Sequence, residues 1–207
     1  DALRPQFDLL GDYLRWSGIA TVRIEGEEAD DVLATLARRS AGRGADVLVV
    51  SGDKDLLQLA TDRIGLVRPQ APRDRVGPPG VREILGVDPA QVPEWLALTG
   101  DTSDNIPGVP GVGPKTATAL LGTFGSLEVL WSRIAEVTPP RIRDLLAAHR
   151  ATVERNLGMM RLRDDLPGLP ELSGLTCRAP DGPALRSFLE TLGLRSLLPA
   201  ASQPELF

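Results

Sequence analysis

Four consecutive apolar residues, Val47-Leu48-Val49-Val50, run directly into Ser51-Gly52-Asp53-Lys54-Asp55. A short unbroken apolar run rich in β-branched residues reads as a strand buried in a parallel sheet. Such a strand needs helices to cover its faces. The surrounding pattern supplies them. Thr21-Val22-Arg23-Ile24 is a short strand pattern, and Ile64-Gly65-Leu66-Val67 is a third strand. Between them, residues 29–39 are helical with Val32, Leu33, Leu36 and Ala37 inward, and residues 55–60 form a short helix. The alternation predicts an α/β layer with a parallel sheet. Ligands of open α/β sheets sit beyond the carboxyl ends of the strands. The acids after Val50 fall there.

Phe7, Leu10 and Leu14 are spaced for a helix over residues 7–16, ended by Gly18. The polar, Pro- and Gly-rich stretch 69–79 reads as a loop. Beyond it the pattern turns helical, over 81–85, 92–98, 114–121, 127–134, 140–162 (continuous or broken) and 184–192. Residues 199–207, with Pro204, read as a linker. The predicted organisation is an α/β core over 1–80, a helical part over 81–198 and that linker. Aromatics make up only 4% of the chain, so the core should be built from Leu, Val, Ile and Ala. One cysteine, Cys177, excludes an internal disulfide and reads as a small buried or half-buried residue. No apolar run approaches the length of a membrane span.

Three acidic groups stand at the ends of predicted elements. Glu28-Ala29-Asp30-Asp31 follows the first strand pattern, Asp53-Lys54-Asp55 the second, and Asp101-Thr102-Ser103-Asp104-Asn105 the helix over 92–98. Any one group is explained by helix capping, because carboxylates accept from free N–H groups and meet the positive end of the helix dipole. Jointly they are not. Seven carboxylates in one crevice (Glu28, Asp30, Asp31, Asp53, Asp55, Asp101 and Asp104) would repel unless cations neutralised them. The single histidine, His149, and the single cysteine lie outside the groups. Oxygen-only ligands point to Mg²⁺ or Mn²⁺ rather than zinc. Two such ions suit in-line hydrolysis of a phosphodiester.

The run from Gly108 through Val109, Gly111, Val112, Gly113, Lys115 and Thr116 reads as a tight hairpin leading into a helix, with Pro114 at the first helical position. A plain connector between helices is one account. A phosphate seat is the other, since exposed N–H groups at the helix start and Lys115 would hold an anion. Charge favours the second account locally. The whole chain carries −5, which argues against a nucleic-acid partner, but residues 108–163 hold eight basic residues against four acids. Arginine dominates the bases, and the chain has only two lysines, Lys54 and Lys115, both inside these motifs.

Gly26-Glu27-Glu28-Ala29-Asp30-Asp31, Ser51-Gly52-Asp53-Lys54-Asp55-Leu56, Leu98-Thr99-Gly100-Asp101-Thr102-Ser103-Asp104-Asn105-Ile106-Pro107-Gly108-Val109 and Gly111-Val112-Gly113-Pro114-Lys115-Thr116-Ala117 resemble, in order and spacing, the motif series of the 5′-nuclease domain of bacterial DNA polymerase I. Flap endonucleases and phage 5′-nucleases share that fold. The resemblance covers nearly the whole chain. It implies a PIN-like parallel sheet with flanking helices, followed by a helical DNA-binding part with a helix-three-turn-helix element over 99–122. It implies that Glu28, Asp30 and Asp31 serve one Mg²⁺ or Mn²⁺, and that Asp53, Asp55, Asp101 and Asp104 serve a second. It further implies that the 108–117 hairpin binds the duplex backbone and holds a K⁺-type ion. The implied substrate is DNA with a 5′ flap, nick or RNA primer end, in replication and repair. The implied setting is the bacterial cytoplasm and nucleoid, in a monomer that carries a polymerase domain in the same polypeptide. The chain departs from the family at Glu27, where an aromatic residue is usual. The family's opening strand, with an Asp at its tip, a further Asp and a basic arch would lie upstream of Asp1. Alternatives are a stand-alone flap endonuclease, or a duplex-binding module without activity. The 108–117 hairpin disfavours a third reading, a PIN-type ribonuclease.

Overall fold

The computed structural model describes residues 3–198. The linker expected at 199–207 lies outside them. The described residues divide into two compact units, one of residues up to 25 together with those from 168 onward, and one of residues 26–167.

In the first unit, α1 (Arg4–Trp16) packs against α9 (Gly182–Thr191), with Leu185 and Leu189 buried. Asp181 caps α9 by accepting from the Ala184 N–H at 3.1 Å. Gly18 adopts φ +72°, and a Cβ there would lie 2.2 Å from the Arg178 carbonyl oxygen, so the close approach requires glycine. Cys177 is exposed, contrary to the expectation of burial. Residues 21–24 form no strand, although their alternation fits one. A period of two specifies a strand only where a neighbour completes the ladder, and none pairs with this segment among the described residues.

The second unit contains a three-stranded sheet in the order β1 (Val47–Val50), β2 (Ile64–Arg68), β3 (Ala71–Val76). β1 and β2 are parallel, with Val47 opposite Ile64 and Val50 opposite Val67. β3 is antiparallel to β2 and lies in the stretch read as a loop. Its position explains the misreading: as an edge strand it tolerates Pro72, and four of its six residues are exposed. The burial expected for β1 belongs to β2, whose first four residues are all buried. Among the described residues β1 pairs on one side only, and Leu48 and Val50 are exposed.

α2 (Ala29–Gly42) and a 3-10 turn over Asp55–Leu59 cover the sheet through Ala34, Ala37, Leu56 and Leu59. α3 (Pro78–Leu85) and a short 3-10 turn lead into α4 (Val92–Thr99), with Val92, Leu96, Ala97 and Leu98 fully buried. α4 is the hub of the unit. It packs against α8 (Arg150–Met160), α5 (Pro114–Phe124) and the 55–59 turn. α6 (Leu127–Ser132) and α7 (Pro140–Ala148) complete the helical layer. The stretch 140–162 is broken at His149, whose N–H donates to the carbonyls of Leu145 and Leu146. Its Nδ1 lies 2.9 Å from the Leu145 oxygen. Among the described residues no helix is long and apolar enough to cross a membrane.

Candidate metal centre and nucleic-acid interface

α4 ends at Gly100, whose φ is +75°. The chain then forms a two-residue strand, β4 (Gly100–Asp101), paired antiparallel with β5 (Ile106–Pro107). Asn105 takes a left-handed φ of +57° to close the loop between them. Two glycines permit the ladder. A Cβ on Gly108 would lie 2.3 Å from the Thr99 carbonyl, and one on Gly100 would lie 2.3 Å from the Gly108 nitrogen. The loop delivers Asp101 and Asp104 to the same place as the turn that begins at Asp55. Each of the three offers a carboxylate oxygen, and these oxygens lie within 4.8 Å of one another.

Asp101 is 2% exposed, yet its carboxyl is held below the ordinary value. Burial pushes it up, but the Ser103 hydroxyl, the Lys54 ammonium and the Ser103 N–H outweigh burial. Lys54 Nζ lies 2.9 Å from Asp101 Oδ2, while Ser103 donates its N–H and hydroxyl to Oδ1 at 2.8 and 2.5 Å. Asp55 moves the other way, to about 6, through burial first and then the charges of Asp53 and Asp101. Its Oδ1 is buried and accepts no hydrogen bond. An orphaned, buried carboxylate oxygen beside two more carboxylates fits a hard cation, which would satisfy it and cancel the repulsion.

The first acidic group is built differently. Glu28 is the exposed N-cap of α2, and Asp30 and Asp31 lie in its first turn. Asp30 is also raised, by burial and then by Asp53, Asp31, Glu28 and Asp104, so the groups share one electrostatic field. Among the described residues, however, Glu28, Asp30 and Asp31 do not converge on one point as Asp55, Asp101 and Asp104 do. Asp31 Oδ1 already accepts from the Arg163 N–H at 2.9 Å. Asp53 Oδ1 accepts from the Asp55 N–H at 2.9 Å. Glu27 finds a partner that sequence spacing could not reveal: Arg163 Nη1, 2.6 Å from its Oε2.

The hairpin at 108–117 is half interior. Val109 and Val112 are each 3% exposed and pack in the core, so toward a ligand they offer only backbone. The Val109 N–H donates to Leu98 and the Val112 N–H to Val109. Gly111 (φ +79°), Gly113 and Lys115 are exposed, and Gly113 is the N-cap of α5. The exposed start of α5 with Lys115 beside it can seat an anion. Sequence reasoning missed the buried amides Gln58 and Asn156. Their one signal was a polar side chain inside an otherwise apolar helical face.

Comparison with known proteins accords with this arrangement. Residues 1–86 match the 5′–3′ exonuclease N-terminal resolvase-like domain, and residues 87–183 the 5′–3′ exonuclease C-terminal SAM fold. DNA polymerase I of Rhizobium leguminosarum is 37% identical over 197 residues, 95% of this chain and 19% of that protein. Thermostable DNA polymerase I of Thermus aquaticus is 39% identical over 193 residues, 93% of this chain and 23% of that protein. The chain thus spans about a fifth of these relatives' length. Among solved structures, the bacteriophage T5 5′-exonuclease with bound divalent zinc ions superposes with a TM-score of 0.69 and 25% identity, covering 93% of this chain and 70% of that one. The T5 flap endonuclease complexed with DNA and metal ions gives a TM-score of 0.61 and 27% identity, over 69% of this chain and 53% of that one. The catalytic core of Rad2 with DNA substrate, 17% identical, shares the fold at a TM-score of 0.59, over 90% of this chain and 64% of that one. The convergent Asp55, Asp101 and Asp104, the hairpin leading into α5 and two consecutive domain matches agree: the chain belongs to the 5′–3′ exonuclease family.

Proposed function

We propose that this chain is the nuclease part of a metal-dependent 5′-nuclease that hydrolyses DNA at a 5′ flap, nick or RNA primer end. The single observation that carries the proposal is the convergence of Asp55, Asp101 and Asp104 around the unpartnered Asp55 Oδ1. In this reading those three, with Asp53, hold a Mg²⁺ or Mn²⁺ ion, and Glu28, Asp30 and Asp31 serve a second. Bound divalent ions supply Lewis-acid activation for attack of water on the phosphodiester and offset charge on the departing oxygen. Ser103 and Lys54 keep Asp101 ionised and therefore ready to bind. The hairpin residues Gly108, Val109, Gly111, Val112, Gly113, Lys115 and Thr116 grip the duplex backbone through main-chain groups and the Lys115 ammonium, with K⁺ as a ligand of the hairpin carbonyls. A polymerase domain in the same polypeptide, a monomeric state and a bacterial cytoplasmic, nucleoid-associated setting belong to the same reading.

The test is cleavage of a labelled 5′-flap duplex by the chain with Mg²⁺ and with EDTA. The expected result is metal-dependent release of the flap, lost in Asp101→Asn with Asp104→Asn. Equal cleavage in EDTA would sink the metal assignment. A second reading is favoured by two observations: among the described residues Glu28, Asp30 and Asp31 do not converge, and Asp31 is engaged by Arg163. On that reading the chain binds duplex DNA but cleaves poorly, and the same assay would show a salt-sensitive shift without product.

A further inference from the structure

The three acidic groups are far apart in sequence, yet a single stretch, residues 156–166, is hydrogen-bonded to one of them and, through Gln58 or flanking carbonyls, to the segments that carry the other two. Asn156 on α8 is fully buried. Its Nδ2 donates to the Pro107 carbonyl at 2.8 Å and to the Ala97 carbonyl at 3.3 Å. Those carbonyls stand on either side of the loop that carries Asp101 and Asp104. Gln58 does the corresponding work for the second group. Its Nε2 donates to the Asp55 carbonyl at 2.8 Å and to the Met160 carbonyl at 2.9 Å, and its Oε1 accepts from the Leu162 N–H at 3.1 Å. The first group is tied by the Arg163 N–H to Asp31 Oδ1 and by the Arg163 guanidinium to Glu27. Thr35, one turn along α2, donates to the Asp31 carbonyl at 2.8 Å and accepts from the Leu166 N–H at 3.2 Å.

Packing does not require the Asn156 amide. Leucine has nearly the shape of Asn156, and the Asn156 Oδ1 is buried without a partner, a penalty leucine would avoid. What asparagine adds is two donors aimed at two carbonyls. Side-chain bonds of this kind fix distances that apolar contact leaves free, because a hydrogen bond weakens steeply with misalignment.

We infer that residues 156–166 form the positioning frame of the metal centre. Asn156 and Gln58 act as positioning residues that set the separation between the Asp101–Asp104 loop and the Asp55 turn. Both bond backbone carbonyls, and Gln58 also a backbone N–H, rather than the carboxylates themselves. The inference rests on the metal-dependent reading above. Outer partners of metal ligands change affinity by about 10–100-fold when removed.

The experiment is calorimetric titration of the whole chain with MnCl₂, alongside thermal unfolding of each variant. Asn156→Leu and Gln58→Leu are expected to weaken Mn²⁺ binding about 10–100-fold. Asn156→Ser, which keeps a short donor, and Gln58→Met, which keeps the bulk, remain decisive should either leucine variant fail to fold. Serine is expected to recover part of the loss, and methionine none. Leu130→Ala, a truncation of a fully buried residue that makes none of these bonds, is the control: it should lower the unfolding temperature and leave Mn²⁺ affinity at the wild-type value. Wild-type affinity in the folded Asn156 and Gln58 variants would overturn the positioning role alone, as would an equal loss in Leu130→Ala. Absence of Mn²⁺ binding by the wild type would overturn the metal reading and this inference together.

Discussion

Lys54 Nζ sits 2.9 Å from Asp101 Oδ2, pairing a half-exposed ammonium with a carboxylate that is almost wholly buried. The pair makes the crevice tolerable before any cation arrives. Replacing Lys54 by methionine leaves Asp101 with Ser103 only. The expected consequence is a metal-free chain less stable by about 1–3 kcal/mol, the range for a buried polar group stripped of one partner. Divalent cation should recover most of that loss. Urea denaturation with and without Mg²⁺ reads both quantities. Equal instability in the two conditions would mean that Lys54 and the cation do not share a role.

Asp55 makes the opposite demand. Its carboxyl is raised from 3.8 to about 6, through burial first and then Asp53 and Asp101. For a raised carboxyl the folded chain holds the proton more tightly than the unfolded chain. The stabilising contribution is fully present below about 3.8 and is lost as pH rises through about 6. Asp55→Asn should therefore make the metal-free chain more stable than wild type at pH 7.5, and only equally stable near pH 4. The same variant should lose the stabilisation that Mg²⁺ confers on wild type, the usual exchange of stability against a strained site. Thermal melts at the two pH values in EDTA, then in Mg²⁺, check each half.

Two glycines separate folding from binding. A Cβ at Gly108 would meet the Thr99 carbonyl at 2.3 Å and the Gly100 nitrogen at 2.6 Å, and both are backbone atoms that cannot swing aside. Gly108→Ala should destabilise by about 2–4 kcal/mol and release the loop that holds Asp101 and Asp104. At Gly113 a Cβ meets nothing within 4 Å, and φ is −91°. Gly113→Ala should fold normally. Any loss it shows in duplex binding then reports on the surface of the α5 start. Denaturant midpoints of both variants, followed by binding titrations of Gly113→Ala, distinguish the two.

The acidic groups were legible in the sequence because each sits at an element boundary, where glycine and acid spacing is a local signal. The α/β layering was legible for the same reason, through the apolar runs at 47–50 and 64–67. What stayed hidden depends on partners distant along the chain. β3 looked like a loop because an edge strand carries Pro72 and four exposed residues, and only its pairing with β2 makes it a strand. Residues 21–24 looked like a strand and pair with nothing among the described residues. The Glu27–Arg163 bond spans 136 residues and the Asn156–Pro107 bond 49, separations at which no spacing rule operates. The convergence of Asp55 with Asp101 and Asp104, but not of Glu28 with Asp30 and Asp31, is likewise a product of packing. α4 and its short β4–β5 ladder bring the later acids to the 55–59 turn.

Pairing also revises how many charges are available for DNA. Of the eight basic residues between 108 and 163, Arg133, Arg143, Arg150 and Arg163 are held by Glu136, Asp144, Glu154 and Glu27. Among the described residues Lys115, Arg141, Arg155 and Arg161 stand in no such ion pair. Each phosphate contact contributes about −0.9 to the slope of log K against log[salt]. If these four residues alone met phosphate, the slope would be near −3.6, about half of what the local composition implies. Lys115→Ala should make it shallower by about 1, whereas Arg133→Ala should leave it unchanged, because its guanidinium already faces Glu136. Fluorescence anisotropy of a duplex at stepped KCl concentrations in Ca²⁺ gives the slopes. A wild-type slope near −7 would mean that the arginines release their acids to bind phosphate, and the paired set would have to be counted again.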